Sequence, residues 1–327
     1  MNLRTTLRES AAYSFYDRFK KLIVAFLLIV FLFVLGELTV SNFLSLAQIL
    51  LTIKLASFIA LFGLCQMVVI AGGGSGLDLS VGYAATMTAV LTAAIMDGRN
   101  ENLWIAVLVA LGIGLVVGAA NGSLAAYVKL PPLVVTLAMS NILQGAINVY
   151  TAGKNITGRP SPVLQIIAAK SVGIFPNILF VLLILGPVVM ILLSRTRWGL
   201  KLFGTGTNET AAYLSGVNVR RVRFMSFVIS SVLASLIGLL LLGNMGIAFK
   251  DMGSNYVMPS IAAAVVGGVS LTGGDGNYLG VILGAIFLQT LTNLLVALGW
   301  GDAGKWLGFG VVLFILLIVY VSNRRSR

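Results

Sequence analysis

Long apolar runs, each near the length of a membrane-crossing helix, alternate with short polar stretches along the whole chain. A span needs about 20 mostly apolar residues, and fewer where the helix is broken. Ten such runs are present: 22–40, 47–70, 79–95, 103–128, 133–150, 178–193, 224–243, 257–271, 279–299 and 304–321. Each is predicted to be a helix, because an open sheet edge cannot satisfy its backbone in lipid. The third and eighth runs are short. They follow Gly72-Gly73-Gly74-Ser75-Gly76 and Gly253-Ser254-Asn255 respectively. Glycine ridges also recur, Gly114, Gly118 and Gly122 in the fourth run and Gly276, Gly280 and Gly284 at the start of the ninth. Such ridges let helix backbones approach closely. The expected fold is an all-α integral membrane protein of about ten transmembrane helices. It would form one domain over 1–327, built as a 5+5 inverted repeat with broken or short helices at spans 3 and 8. Interrupted segments at matching positions in two halves point to a translocation site. The competing explanation is that glycine is common in spans and the match is chance.

Composition agrees with the pattern. The chain is 58% hydrophobic and 10% charged, against about 25% charged in soluble domains. The formal net charge of +12 could suggest nucleic acid, but the basic residues cluster at the ends of runs, where they set orientation in a membrane. Nucleic acid is therefore not expected as a partner. Cys65 is the single cysteine and histidine is absent, so no internal disulfide, metal site or histidine base is expected.

Arg4, Arg8, Arg18, Lys20 and Lys21 precede the first run. This looks like a signal peptide, but no small-residue cleavage site follows, and a retained signal anchor fits better. Segment 1–21, the 194–223 loop and the Arg324, Arg325, Arg327 tail then share the cytoplasmic side. The loops around Glu37 and Asp97-Glu101, and the 151–177 segment, fall outside.

The 194–223 loop carries Arg195, Arg197, Lys201, Arg220, Arg221 and Arg223, with Glu209 as its only acid. Its centre reads as a short helix, with Thr207 or Asn208 as N-cap, Glu209 in the first turn and Gly216 as C-cap. A small shaped helix on the cytoplasmic face suggests a dock for a motor protein, with Thr207, Asn208, Glu209, Ala211, Ala212, Tyr213 and Gly216 as its contacts.

Gly76-Leu77-Asp78-Leu79-Ser80-Val81-Gly82 places an acid at the mouth of span 3. Asp78, helped by Ser80, is expected to cap that helix; a charged gate or proton site is the alternative. Gly267 to Gly276 is glycine-rich but lacks the Lys-Ser/Thr of a phosphate-cradling loop, so it reads as a tight reversal near the dock. Span 5 carries Thr136, Ser140, Gln144 and Asn148 at four-residue spacing, with Asn141 beside them. These form one polar stripe, suited to a neutral, hydroxyl-rich solute. Gln289 and Asn293 share a face of span 9, with Thr290 beside them, and Gln66 and Ser57 lie in span 2. All are pathway candidates; the competing role is hydrogen bonding between helices. Lys54 is expected to snorkel to the outer surface.

The Gly76–Gly82 motif, Asn208-Glu209-Thr210-Ala211-Ala212-Tyr213-Leu214-Ser215-Gly216-Val217-Asn218 and Ile261–Gly274 together resemble the ribose-type permeases of bacterial ABC importers. The resemblance runs from about residue 40 to 320. The wider family handles monosaccharides, nucleosides, a furanosyl signalling molecule and branched-chain amino acids. It implies an inner-membrane permease that imports a small neutral solute, a monosaccharide first, without covalent chemistry. It implies as partners a second permease copy or paralogue, two ATP-binding subunits that use the ATP, and a periplasmic substrate-binding protein. No cofactor would bind this chain directly. Two departures concern spans 2 and 3: the Gly72–Gly76 stretch is about two residues longer than the usual pattern, and Lys54 stands where an uncharged residue is usual. An ion-coupled secondary transporter is the rival class, but it needs acids within the membrane, and only Asp78 and Glu37 lie near spans.

Overall fold

A computed structural model describes residues 22–314 apart from 75, 153–155, 157, 302, 309, 312 and 313. In chain order the helices are α1 (Leu22–Thr39), α2 (Leu46–Ala71), α3 (Val81–Met96), α4 (Leu103–Ala126), α5 (Pro132–Thr151) and α6 (Pro162–Ala168). A two-residue hairpin follows, β1 (Ser171–Val172) antiparallel to β2 (Phe175–Pro176). Then come α7 (Asn177–Arg195), α8 (Arg197–Thr207), α9 (Glu209–Leu214), α10 (Val219–Met245), a 3-10 turn (Ser254–Tyr256), α11 (Val257–Val266) and α12 (Tyr278–Ala297). Among the described residues seven helices are long and apolar enough to cross a membrane, namely α1, α2, α4, α5, α7, α10 and α12. The first nine expected runs each contain a helix; the tenth, 304–321, lies mostly outside the described residues.

Helices α2 and α10 are the central columns. Every residue of α2 from Ala56 to Ala71 is buried, and α10 is buried at intervals along its whole length. α4 packs on α10, and α12 on α2. The α4–α10 contact shows why the glycines are there. A Cβ on Gly114 would stand 2.5 Å from Val232 Cα, one on Gly118 2.5 Å from Val228 Cα, and one on Gly122 2.8 Å from the Phe224 carbonyl oxygen. The partner numbers fall as the glycine numbers rise, so the two helices are antiparallel and their backbones touch at every turn. The second ridge works differently. Gly280 and Gly284 press on the backbone of Gly267 and Ala263, at the end of α11, while Gly276 makes an ordinary contact with Met67. The equal spacing of the two ridges therefore does not reflect equal partners.

Three further expectations are corrected. The 151–177 stretch contains α6 and the hairpin, and α6 packs on α10 through Leu164, whose carbonyl oxygen meets Gly243. The basic loop holds two helices, because Thr196 caps α8 with an oxygen that accepts from Gly199 N at 3.1 Å. Lys54 does more than snorkel: its Nζ donates to the Ala169 carbonyl oxygen at 3.0 Å, tying α2 to the end of α6.

Candidate functional site

Two short helices, α3 and α11, begin inside the bundle. α2 runs toward the basic end, the end that carries α8 and α9, and breaks at Gly72. Gly73 and Gly74 adopt φ of +75° and +68°, which only glycine reaches cheaply, and the chain doubles back. It re-enters the bundle as irregular backbone until α3 starts at Val81. Ser230, which meets this stretch, lies about 16 Å along α10 at 1.5 Å per residue, so α3 begins well inside the protein. From the opposite end, residues 246–256 descend from α10 until Gly253 N donates to Thr86 Oγ1 at 3.0 Å, in the second turn of α3. α11 starts there and runs to the basic end. The starts of two short, oppositely directed helices thus abut, with a Cβ on Gly82 falling 2.6 Å from both the Gly253 carbonyl oxygen and Val257 Cγ2. Non-helical backbone at this depth needs enclosed partners, since lipid provides none.

Those partners include half of the predicted pathway and gate residues. Gln66 is fully buried and clasps the backbone of Asp78 on both sides. Its Nε2 donates to the Asp78 carbonyl oxygen at 2.8 Å and its Oε1 accepts from Asp78 N at 3.3 Å. Thr136 Oγ1 donates to the Leu77 carbonyl oxygen at 3.1 Å, and Ser140 Oγ to that of Leu79 at 2.9 Å. Gln66, Thr136 and Ser140 therefore hold the re-entrant strand in place and have no free polar face for a solute.

Asp78 is corrected in the same way. It lies not at an edge but wholly buried, two residues before the N-cap position. Its Oδ1 accepts from Ser80 N at 3.0 Å and Ser80 Oγ at 2.6 Å, and its Oδ2 from Ser230 Oγ at 3.2 Å. Asn121 Nδ2 donates to Ser80 Oγ at 2.8 Å. Ser80 occupies the N-cap position but makes no capping bond through its side chain. The pair thus locks a chain reversal against α4 and α10 rather than capping α3. Asn121, Ser230 and Thr86 were not expected here; for Asn121 the sequence signal is an amide set in the small-residue run Gly118-Ala119-Ala120-Asn121-Gly122.

The remaining stripe on α5 divides by exposure. Gln144 is half-buried, and Asn141 and Asn148 are exposed on a helix otherwise apolar enough to cross a membrane. On α12, Gln289 bonds to Asn293 within the helix, and Asn293 reaches across to α2. Gln289 Nε2 donates to Asn293 Oδ1 at 2.8 Å and Asn293 Nδ2 to Thr52 Oγ1 of α2, also at 2.8 Å. Ser57 and Thr290 donate to carbonyl oxygens of their own helices.

At the basic end, α9 stands clear of the bundle with no buried residue. Asn208 is its N-cap, with Oδ1 accepting from Ala211 N at 2.9 Å, and Gly216 closes it at φ +79°. Thr207 belongs to the last turn of α8. Tyr213 and Leu214 are 70% and 78% exposed, forming an apolar knob. Ala211 is exposed on the same short helix and Ala212 is half-buried. Glu209 is bound by both terminal guanidinium nitrogens of Arg223, at 3.2 and 2.7 Å. The 267–277 reversal lies against the end of α8, where Thr207 Oγ1 donates to the Gly274 carbonyl oxygen at 3.4 Å. Among the described residues no cluster of acids, Cys or His could hold a metal ion.

Broken helices abutting inside a bundle, with polar side chains spent on the break, describe a multi-pass membrane permease. The sequence carries this further. A family model described as "Branched-chain amino acid transport system / permease component" matches residues 48–321, and the chain belongs to that family. It is 34% identical over 303 residues to the "Autoinducer 2 import system permease protein LsrC" of Salmonella typhimurium, covering 93% of this chain and 85% of the relative. The proteins of the same name from Escherichia coli (strain K12 / DH10B) and Shigella flexneri are each 31% identical over 305 residues, 93% of this chain and 87% of theirs. No solved structure matches the chain.

Proposed function

We propose that the chain is the transmembrane subunit of an ATP-binding-cassette importer that carries a small neutral solute into a bacterial cell. The observation that carries this reading is the abutment of α3 and α11 at Gly82 and Gly253, since paired discontinuous helices are a feature of transport pathways. The basic end is cytoplasmic by its arginines and lysines. The exposed Tyr213 and Leu214 of α9 are the contact for an ATP-hydrolysing partner; two such subunits, a second permease copy and a periplasmic binding protein complete the assembly.

Internal symmetry supports the 5+5 repeat. Exchanging α2 with α10, α3 with α11 and α4 with α12 turns the α4–α10 packing into α12–α2, α3–α10 into α11–α2, and α3–α4 into α11–α12, all of which occur. The exposed amides of α5 support a second copy, because Asn141 and Asn148 need water or protein opposite them. With Gln144 they form the uncharged lining that a hydroxyl-rich solute would meet, and a monosaccharide fits that chemistry. Autoinducer 2, for which the relatives are named, is a second candidate solute.

The test is uptake into proteoliposomes holding the chain, its ATPase subunits and the binding protein, with D-ribose and autoinducer 2 as probes. Accumulation of either probe that requires ATP supports the reading. Accumulation driven by an ion gradient without ATP would replace it with secondary transport.

A further inference from the structure

We propose that Arg223 is the positioning residue through which movement of α9 reaches the re-entrant strand between α2 and α3. This deepens, and rests on, the reading of α9 as the motor contact. The guanidinium has two sets of partners on different elements. Toward the dock it grips both carboxylate oxygens of Glu209. Toward the pathway its Nε donates to the Gly72 carbonyl oxygen at 3.5 Å, and its central carbon lies 3.0 Å from where a Cβ on Gly74 would stand. Arg223 therefore sits flat on the two glycines where α2 ends and the reversal begins. The planar fork permits this: five donors spread over three nitrogens bind both oxygens of a carboxylate while Nε reaches a carbonyl on another element, whereas a lysine presents its three donors from a single nitrogen.

Stability does not explain the pair. The side chains of Arg223 and Glu209 are 23% and 56% exposed, and an ion pair that open contributes little to folding. The surroundings are also arranged for transmission. Gly206, at the end of α8, meets the carbonyl of Ala71 and the amide of Gly274, and a Cβ on Gly73 would lie 2.9 Å from Gly206 Cα. A Cβ on Gly273 would lie 2.5 Å from Gly73 Cα, and Gly274 N donates to the Ala71 carbonyl oxygen at 3.0 Å. The ends of α2, α8 and α11–α12 are thus locked in a knot of bare backbone, and Arg223 is the side chain that ties the base of α9 to it. Beside the knot is a cavity of about 1200 Å³ bordered by Gly73, Gly74, Gly76, Glu209 and Arg223, into which the strand has room to move.

The test uses the complete complex carrying Leu77→Cys and Cys65→Ser, with labelling by a water-soluble maleimide before and after ATP. The expected result is a labelling rate at 77 that changes with ATP. In Arg223→Gln the ATPase should still bind and hydrolyse ATP while that change falls roughly fivefold or more, the scale on which single positions tune coupling between sites. The charge swap Glu209→Arg with Arg223→Glu should restore the ion pair but not the change, because a carboxylate cannot donate to the Gly72 carbonyl. If Arg223→Gln does not assemble, Arg223→Lys decides, with the same loss expected. An unaltered change in Arg223→Gln (or in Arg223→Lys where that variant decides), its recovery in the charge swap, or no ATP-dependent change in the starting protein despite bound, active ATPase would each overturn the proposal. Failure of the starting protein to bind ATPase at all would instead refute the reading on which it rests.

Discussion

Gly82 and Gly253 touch backbone to backbone: the first turn of α3 leaves no room for a side chain beside the Gly253 carbonyl. The contact joins two helices that enter from opposite ends of the protein, so a side chain placed there must move one of them. Gly82→Val should lower the thermal midpoint through overpacking of about 1–3 kcal/mol and abolish transport. Gly112, where an added Cβ meets nothing within 4 Å, is the control; Gly112→Ala should leave transport unchanged and should not lower the midpoint, since alanine favours a helix interior over glycine. Thermal unfolding in detergent, read beside uptake, checks both.

Gln66 and Gln144 are both amides within membrane-spanning helices, yet opposite outcomes are expected. Gln66→Leu strips the Asp78 peptide of both partners in a buried setting, at about 1–3 kcal/mol for each group left unpaired. It should reduce the amount of folded protein recovered from membranes. Gln144→Leu should leave folded protein and ATPase assembly normal and lose uptake. Quantifying membrane protein and uptake in the same cells separates the two.

Thiol labelling of α5 should follow exposure rather than four-residue spacing. In a Cys65→Ser background, cysteines at 141, 144 and 148 should react with a water-soluble reagent. Those at 140, 143 and 147 should stay protected, because Ser140, Leu143 and Ile147 are buried. Reaction at 140 equal to that at 144 would show that the Ser140–Leu79 lock is absent.

Asn293 should act as glue between α12 and α2. Asn293→Leu breaks its bonds to Gln289 and Thr52 and should cost about 1 kcal/mol per contact, with uptake retained. Loss of uptake at unchanged stability would return Asn293 to the pathway.

What the sequence revealed divides by the range of the interaction. Asn208 and Gly216 were readable because capping depends on residues three or four positions apart, and Gly114-Gly118-Gly122 because one helix face is set by spacing alone. The two re-entrant stretches were signalled by glycines that interrupt apolar runs. What was hidden depends on contacts across the fold. Nothing local says that Gln66 faces the Asp78 peptide, that Ser140 reaches Leu79, or that Gly280 presses on Gly267 rather than on α2. Thr136 and Ser140 share a period with Gln144 and Asn148, but neighbouring backbone takes the first pair and leaves the second open. Helix α6 was missed because seven residues are too few to show a period.

We infer that solute passes along the amides of α5, beside the abutting starts of α3 and α11. Tyr83 lies half-buried at that junction, with its hydroxyl 3.5 Å from Asp251 Oδ1. The direct measurement is the labelling of Tyr83→Cys, with Cys65→Ser, by a membrane-impermeant thiol reagent applied to one face or the other of oriented vesicles holding the complete complex. The predicted result is reaction from one face at rest and from the other when ATP is trapped on the motor. Labelling from the same face at the same rate in both states would contradict it.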